Sequence, residues 1–248
     1  DTKFSDIRPI LGAGVVLSTL GVLLTTLFTG LFIFGISHAF SHVIHIPLTL
    51  ALLLAATMSS TDSATVFNIL RSQKMGLRNR LQPLLEFESG SNDPMAYMLT
   101  IVMIQVINGG DITGAEIWKI ILNFFVQFGF GLIFGYLLGR ATVWIINKID
   151  LPNKSLYPIM MLAFIFFIFS FTNLLHGNGY LAVYVAGIVL GNSKLTENKS
   201  ITSFLDGVTW LVQIVMFLVL GMLVNPTEMF KIAIPALIVG VFVIFVGR

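Results

Sequence analysis

The residues best suited to chemistry lie in one stretch, Leu85 to Tyr97, which reads LEFESGSNDPMAY. It holds Glu86, Glu88, Ser89, Asn92 and Asp93, with Gly90 and Pro94 among them. The stretch sits inside an otherwise apolar run from about Leu81 to Asn108, long enough to cross a bilayer. Ionisable groups at that depth cost at least a few kcal/mol each, so they are rare and mark ion or proton pathways. A second polar stretch, Met58 to Thr65, reads MSSTDSAT and packs five hydroxyls and one carboxylate into eight residues. Oxygen groups of this kind bind protons and hard cations reversibly.

Asp93 is the strongest single candidate. It stands near the middle of its span, roughly 20 Å along a helix from the Leu81 end. Burial disfavours the charged form of a carboxyl group. A carboxyl buried there holds either a proton or a cation, never both, which is the minimum machinery for exchanging one against the other. The bland alternative is a buried polar residue that glues helices together. Ser89, four residues earlier, adds an oxygen on a nearby face, and Asn92 holds a partner by hydrogen bonds without adding charge. Glu88 and Arg248 could form a buried ion pair fixing the third span against the last, which is a structural role. Glu86 reads as an entrance or interfacial charge, and Asp206 as an end-of-helix charge.

The elements that must position these groups are membrane helices. Of 248 residues, 56% are hydrophobic and only 10% charged, against roughly 25% in soluble domains. Eight candidate spans follow, at about 11–36, 46–70, 81–108, 115–147, 155–175, 179–192, 203–224 and 229–248. The fourth is long enough to require tilt, and the sixth is too short to span alone. Lys3, Arg8, Arg71, Lys74, Arg78, Arg80, Lys148, Lys154, Lys194 and Lys199 fall in alternate loops, while the other loops hold neither Lys nor Arg. That bias predicts a cytoplasmic N-terminal side. Lys119 and Lys231, just inside spans on the far side, can snorkel.

A continuous lipid-facing helix would not tolerate MSSTDSAT, because irregular backbone at this depth survives only inside protein or along a cavity. The second span is therefore expected to break near Thr61 and Asp62. Asp62 would cap the second half-helix, or lie beside a bound cation. Thr61 would bond back to its helix, or offer a freed carbonyl to an alkali cation.

His38, His42 and His45, at spacings of four and three, would share one face of a helix. A metal site or pH sensor is one reading. Interfacial rings at headgroup level is the favoured one, since no carboxylate or Cys completes a ligand set. The chain has no cysteine and shows no phosphate loop, dinucleotide fingerprint or nucleophile–base pairing. No cofactor and no nucleic-acid partner are expected, and no leader segment is visible. Asp1 opens the chain and Arg248 closes it within an apolar run, so an internal piece of a longer protein is expected.

These stretches resemble those of the cation/proton antiporters, in the branch of NhaP-type sodium–proton and potassium–proton exchangers. SSTDSATVFNILRS (59–72), LEFESGSNDPMAYMLTI (85–101) and GYLAVYVAGIVLGN (179–192) carry the likeness, with FLVLGMLVNP (217–226) and FVGR (245–248). The resemblance implies an all-α integral membrane bundle with a helix unwound at mid-membrane, and inverted repeats that this chain leaves incomplete. By position, the spans correspond to the fourth through eleventh helices of a thirteen-helix fold. Residues 1–108 would form the first half of an ion-transporting core. Residues 109–227 would form an interface domain, with a homodimer as the partner, and 228–248 would open the second core half. In the family, Asp93 would be the shared proton and cation site, helped by Thr61, Ser89 and Asp62, while Glu88 and Arg248 would match a stabilising pair. An Asn92–Asp93 pair resembles the electroneutral branch, with Na⁺ or K⁺ exchanged for H⁺ across the cell membrane as the core moves against the interface domain. A cation channel, an ion-translocating subunit of a larger complex, or a membrane sensor without transport would be the other classes; an enzyme is least expected.

Overall fold

A segment crossing a bilayer must pair its backbone N–H and C=O groups internally, and this chain does so with helices. The computed structural model describes residues 9–42, 45–60, 81–109 and 114–247. Among these the helices are α1 (Leu11–Ala39), α2 (Leu48–Met58), α3 (Leu81–Asn108), α4 (Gly114–Lys148), α5 (Leu156–Leu174), α6 (Gly179–Gly191), α7 (Asn198–Leu223) and α8 (Pro226–Phe245), with no strand. Thr100, Thr142 and Thr209 return their hydroxyls to carbonyls one turn back, at 2.8, 2.8 and 2.9 Å. Such bonds let hydroxyls sit in apolar helices without an unpaired donor.

The helices fall where apolar length places them, with three instructive differences. The second span was expected over 46–70 with a break near Thr61 and Asp62; α2 stops earlier, at Met58, and Ser59 and Ser60 are not helical. Residues 61–80 lie outside the described residues. At 11 and 13 residues, α2 and α6 measure about 17 and 20 Å, short of the roughly 30 Å hydrocarbon core. α7 begins at Asn198, so Asp206 lies two turns inside an exposed face and not at a helix end. The polar first turns of α7 are helical before the apolar run begins, which hydropathy alone does not register. The histidines differ as well: α1 ends at Ala39, so His42 does not continue the helical face of His38.

The chain divides into two compact units. One comprises 2–122 with 226–248, the other 123–225. In the first, α1 packs on α2 and α8. A Cβ at Gly30 would lie 2.6 Å from Leu52 Cδ2, a methyl that can turn aside, and 3.2 Å from Leu52 Cα, so α1 and α2 approach closely there. Ile33, Ala51 and Ala55 form the buried centre of that contact. Phe32 stacks on Phe242 of α8 with ring centroids 3.8 Å apart, and the Thr25 hydroxyl donates to the Gly247 carbonyl at 2.9 Å.

In the second unit, Gly131, Gly135 and Gly139 form a stripe on α4 that meets α6 at Asn178, Ala182 and Ala186. The four-residue spacing keeps the glycines on one helix face, where backbones approach closely in membranes. α6 is well started: the Asn178 side chain accepts from the Leu181 N–H at 3.0 Å, and the Asn178 N–H donates to the Gln127 carbonyl at 2.9 Å. Below, Ile146, Tyr157, Met161 and Ile201 pack together, and the Tyr157 hydroxyl donates to the Ile149 carbonyl at 2.8 Å. Outside the apolar segments, Lys154 Nζ meets Glu197 Oε1 at 2.5 Å. The hydrogen bond and charge of Glu197 raise the Lys154 pKa above its usual value, although the ammonium remains in solvent.

Candidate functional site

Helix ends leave backbone carbonyls without partners, and at the end of α2 hydroxyls supply some of the missing donors. Thr57 Oγ1 donates to the Leu54 carbonyl at 2.7 Å. Ser59 Oγ donates to the Ala56 carbonyl at 2.7 Å, and the Ser59 N–H approaches the same oxygen at 3.3 Å. Ser60, the next residue, turns its hydroxyl outward to α3. It donates to Asp93 Oδ1 and lies 3.4 Å from Asn92 Oδ1. The Asp93 contact is the shorter, so the single hydroxyl proton is assigned there.

On α3 the polar residues sort by helical position. Glu88 and Asn92 are four apart and share a face, and Asn92 Nδ2 donates to Glu88 Oε1 at 3.1 Å. Asn92 is 1% exposed and Ser89 6% exposed, whereas Asp93 is exposed. Neighbours on a helix point about 100° apart, so Asn92 anchors the packed side while Asp93 faces an opening. This corrects the expectation of a buried Asp93. Depth in an apolar run and enclosure by side chains are different properties, and the sequence reports only the first. Pro94 adds a backbone feature: lacking an N–H, it removes the helical donor to the Gly90 carbonyl within the same turn.

The structure therefore brings together Ser60, Glu88, Asn92 and Asp93, with Ser89 buried on the same helix. Thr61, Asp62 and Arg248 lie outside the described residues, as does the side chain of Glu86. Ser60 was not singled out by the sequence reasoning. Its signal was present, a hydroxyl within the polar run MSSTDSAT, but composition does not say which hydroxyl faces α3.

In this structure α2 stops beside an Asn–Asp pair on the next helix, and comparison with known proteins gives the family. Residues 1–248 fit the family described as sodium/hydrogen exchanger, transmembrane. The chain belongs to that family. It is a multi-pass protein of the cell membrane. It is 37% identical over 241 residues to the K(+)/H(+) antiporter NhaP of Alkalimonas amylolytica, covering 97% of this chain and 40% of that protein. It is 34% identical over 249 residues to the K(+)/H(+) antiporter NhaP2 of Shewanella oneidensis, covering 100% and 41%. The chain thus spans about two fifths of the length of these curated relatives. Among solved structures, the sodium proton antiporter MjNhaP1 from Methanocaldococcus jannaschii superposes with a TM-score of 0.82 at 23% identity, over 99% of this chain and 59% of that one. That likeness establishes the exchanger fold.

Proposed function

We propose that this chain carries the exchange site of a secondary antiporter that trades a monovalent cation for H⁺, with Asp93 as the group that binds each in turn. The observation that carries the reading is the hydrogen bond from Ser60, just past the end of α2, to Asp93 at the middle of α3. It joins a helix end to an accessible carboxylate, and a carboxylate with oxygen neighbours is what alternating proton and cation binding requires. Ser89 adds a nearby oxygen. Thr61, through its carbonyl, and Asp62, which lie outside the described residues, are the further candidate ligands of the cation. Asn92 holds Glu88 without bringing a second charge to Asp93, which favours one proton per cation. Glu88 and Arg248, the latter outside the described residues, are the candidate structural ion pair.

The printed names of relatives at 34–37% identity favour potassium as the cation, and the 25%-identical probable Na(+)/H(+) antiporter 2 of Methanocaldococcus jannaschii keeps sodium in the test. The unit of 2–122 with 226–248 serves as the moving core, and the unit of 123–225 as the interface through which two copies assemble. The protein transports and does not catalyse a covalent reaction.

The test uses the full-length protein in vesicles with an internal pH dye. An imposed K⁺ or Na⁺ gradient should drive a pH change, and Asp93→Asn should abolish it while the protein still inserts and melts normally. Exchange that survives Asp93→Asn refutes the role of Asp93. Cation flux without coupled H⁺ movement points instead to a channel or an ion-translocating subunit.

A further inference from the structure

Three histidines stand apart from the Asp93 cluster, at the end of α1 and in the connection to α2, a loop that holds neither Lys nor Arg. Because α1 ends at Ala39, the chain turns and brings His45 back toward His38. Their ring centroids lie 6.0 Å apart with planes inclined by 57°. The turn is held from within, since the Ile46 N–H donates to the buried Ser37 Oγ at 2.6 Å. The separation is therefore set by residues adjacent to both rings.

The His38 ring is oriented as well. It lies against Phe34, centroids 4.5 Å apart, and its Nδ1 is 3.3 Å from the Phe34 carbonyl oxygen. A carbonyl can only accept, so this contact assigns the proton to Nδ1 and leaves the lone pair on Nε2. An imidazole whose other nitrogen donates to a backbone carbonyl is the usual form of a metal-bound histidine. An imidazole nitrogen binds zinc at about 2.0–2.1 Å, which puts the ring centroid about 3.2 Å from the ion. Two rings sharing one ion then have centroids separated by about 5.2 Å at a tetrahedral angle and about 6.4 Å in a linear arrangement. The observed 6.0 Å corresponds to an angle at the ion of about 140°, so the two rings must draw together by about 0.8 Å to reach tetrahedral geometry. Both rings are exposed, so an ion can reach them.

We propose that His38 and His45 are the two protein ligands of a transition-metal site that binds zinc or a similar borderline dication, with water in the remaining positions. His42 is not a ligand. Among the described residues no three His, Cys, Asp or Glu side chains gather to hold a metal, so the site is open and weaker than a closed structural zinc site. Its occupant would tie the end of α1 to the entry of α2.

The test is zinc titration of the metal-free, full-length protein by calorimetry, with copper(II) as a spectroscopic probe. One zinc should bind per chain. His38→Gln and His45→Gln should each weaken binding by at least about ten-fold, while His42→Gln should leave it within about two-fold. The copper spectrum should show two coordinating nitrogens. Absence of saturable binding, wild-type affinity in the His38→Gln or His45→Gln variant, or loss on His42→Gln overturns the assignment and leaves the rings as a packed aromatic column. Should the variants misfold, the wild-type copper spectrum still decides, because fewer than two nitrogens refutes the site. None of these readouts depends on ion exchange, so failure here leaves the antiport reading intact.

Discussion

Replacing Gly135 by alanine places a methyl carbon 2.6 Å from the Ala182 carbonyl oxygen, and 2.9 Å from both Ala182 Cα and Val185 Cβ. Close carbon–oxygen contacts begin near about 3.3 Å, so α6 would have to retreat by about 0.7 Å. Two of the three obstructing atoms are backbone, which no rotamer change can move. Nor is α6 free to slide, because the Asn178 N–H is bonded to the Gln127 carbonyl of α4 at 2.9 Å. Overpacking costs about 1–3 kcal/mol, and a backbone clash belongs in the upper half of that range. Alanine also gains about 1 kcal/mol over glycine in helix propensity, leaving a net loss of about 1–2 kcal/mol, or roughly 5- to 30-fold in the folded-to-unfolded ratio. Gly129, on the same helix, supplies the control, for a Cβ there meets nothing within 4 Å. Gly129→Ala keeps the propensity gain without the clash and should be neutral or stabilising. The difference between the two variants is then the packing cost alone. Equilibrium unfolding of the full-length protein in detergent should rank Gly129→Ala at or above wild type and Gly135→Ala below it. If Gly135→Ala matches Gly129→Ala, the glycine stripe does not meet α6 and the reasoning fails.

Ser60→Ala should lower apparent cation affinity by about ten-fold, since a hydrogen bond to a charged group contributes about 1.5–3 kcal/mol and the exposure of Asp93 puts this one at the low end. Ser60→Thr should restore it, and an unchanged cation dependence in vesicle assays would show the bond to be idle. Asn92→Ala should destabilise the protein by about 1.5–3 kcal/mol by removing the donor to Glu88; an unaltered unfolding midpoint would contradict this. For Lys154 the raised pKa means that the folded state favours the ammonium. Its contribution is present at neutral pH and is lost as pH rises through the lysine range. Being in solvent, the pair should matter little. Wild type and Glu197→Gln should melt together at high salt, and any low-salt gap at neutral pH should close in strong alkali; a gap that widens with pH would reverse the sign.

The helical frame was legible in the sequence because the bilayer imposes a minimum apolar length. α3 and α5 lie within a residue of their expected ends. The stop in the second span was legible for the complementary reason, that hydroxyls and a carboxylate cannot face lipid in a continuous helix. What stayed hidden was rotation about the helix axis. Asn92 and Asp93 are adjacent, equally deep and similarly polar, yet one is enclosed and the other open. Only the packing of neighbouring helices decides which of two adjacent residues turns inward. The histidines failed as a helical face for a related reason: equal spacing implies a common face only while the helix continues, and α1 ends one residue after His38.

The bond from Ser60 to Asp93 has a chemical symmetry that follows from where α2 stops. A backbone N–H can only donate, so it suits a carboxylate and opposes a carboxylic acid. A hydroxyl does both by turning one torsion. Beside the charged form of Asp93 it gives its proton; beside the protonated form it offers a lone pair. Ser60 stands beyond the last helical residue of α2, where the regular ladder no longer sets its conformation. The end of α2 thus puts next to Asp93 a partner that can hydrogen-bond to either protonation state, as a site that must both take and release a proton requires.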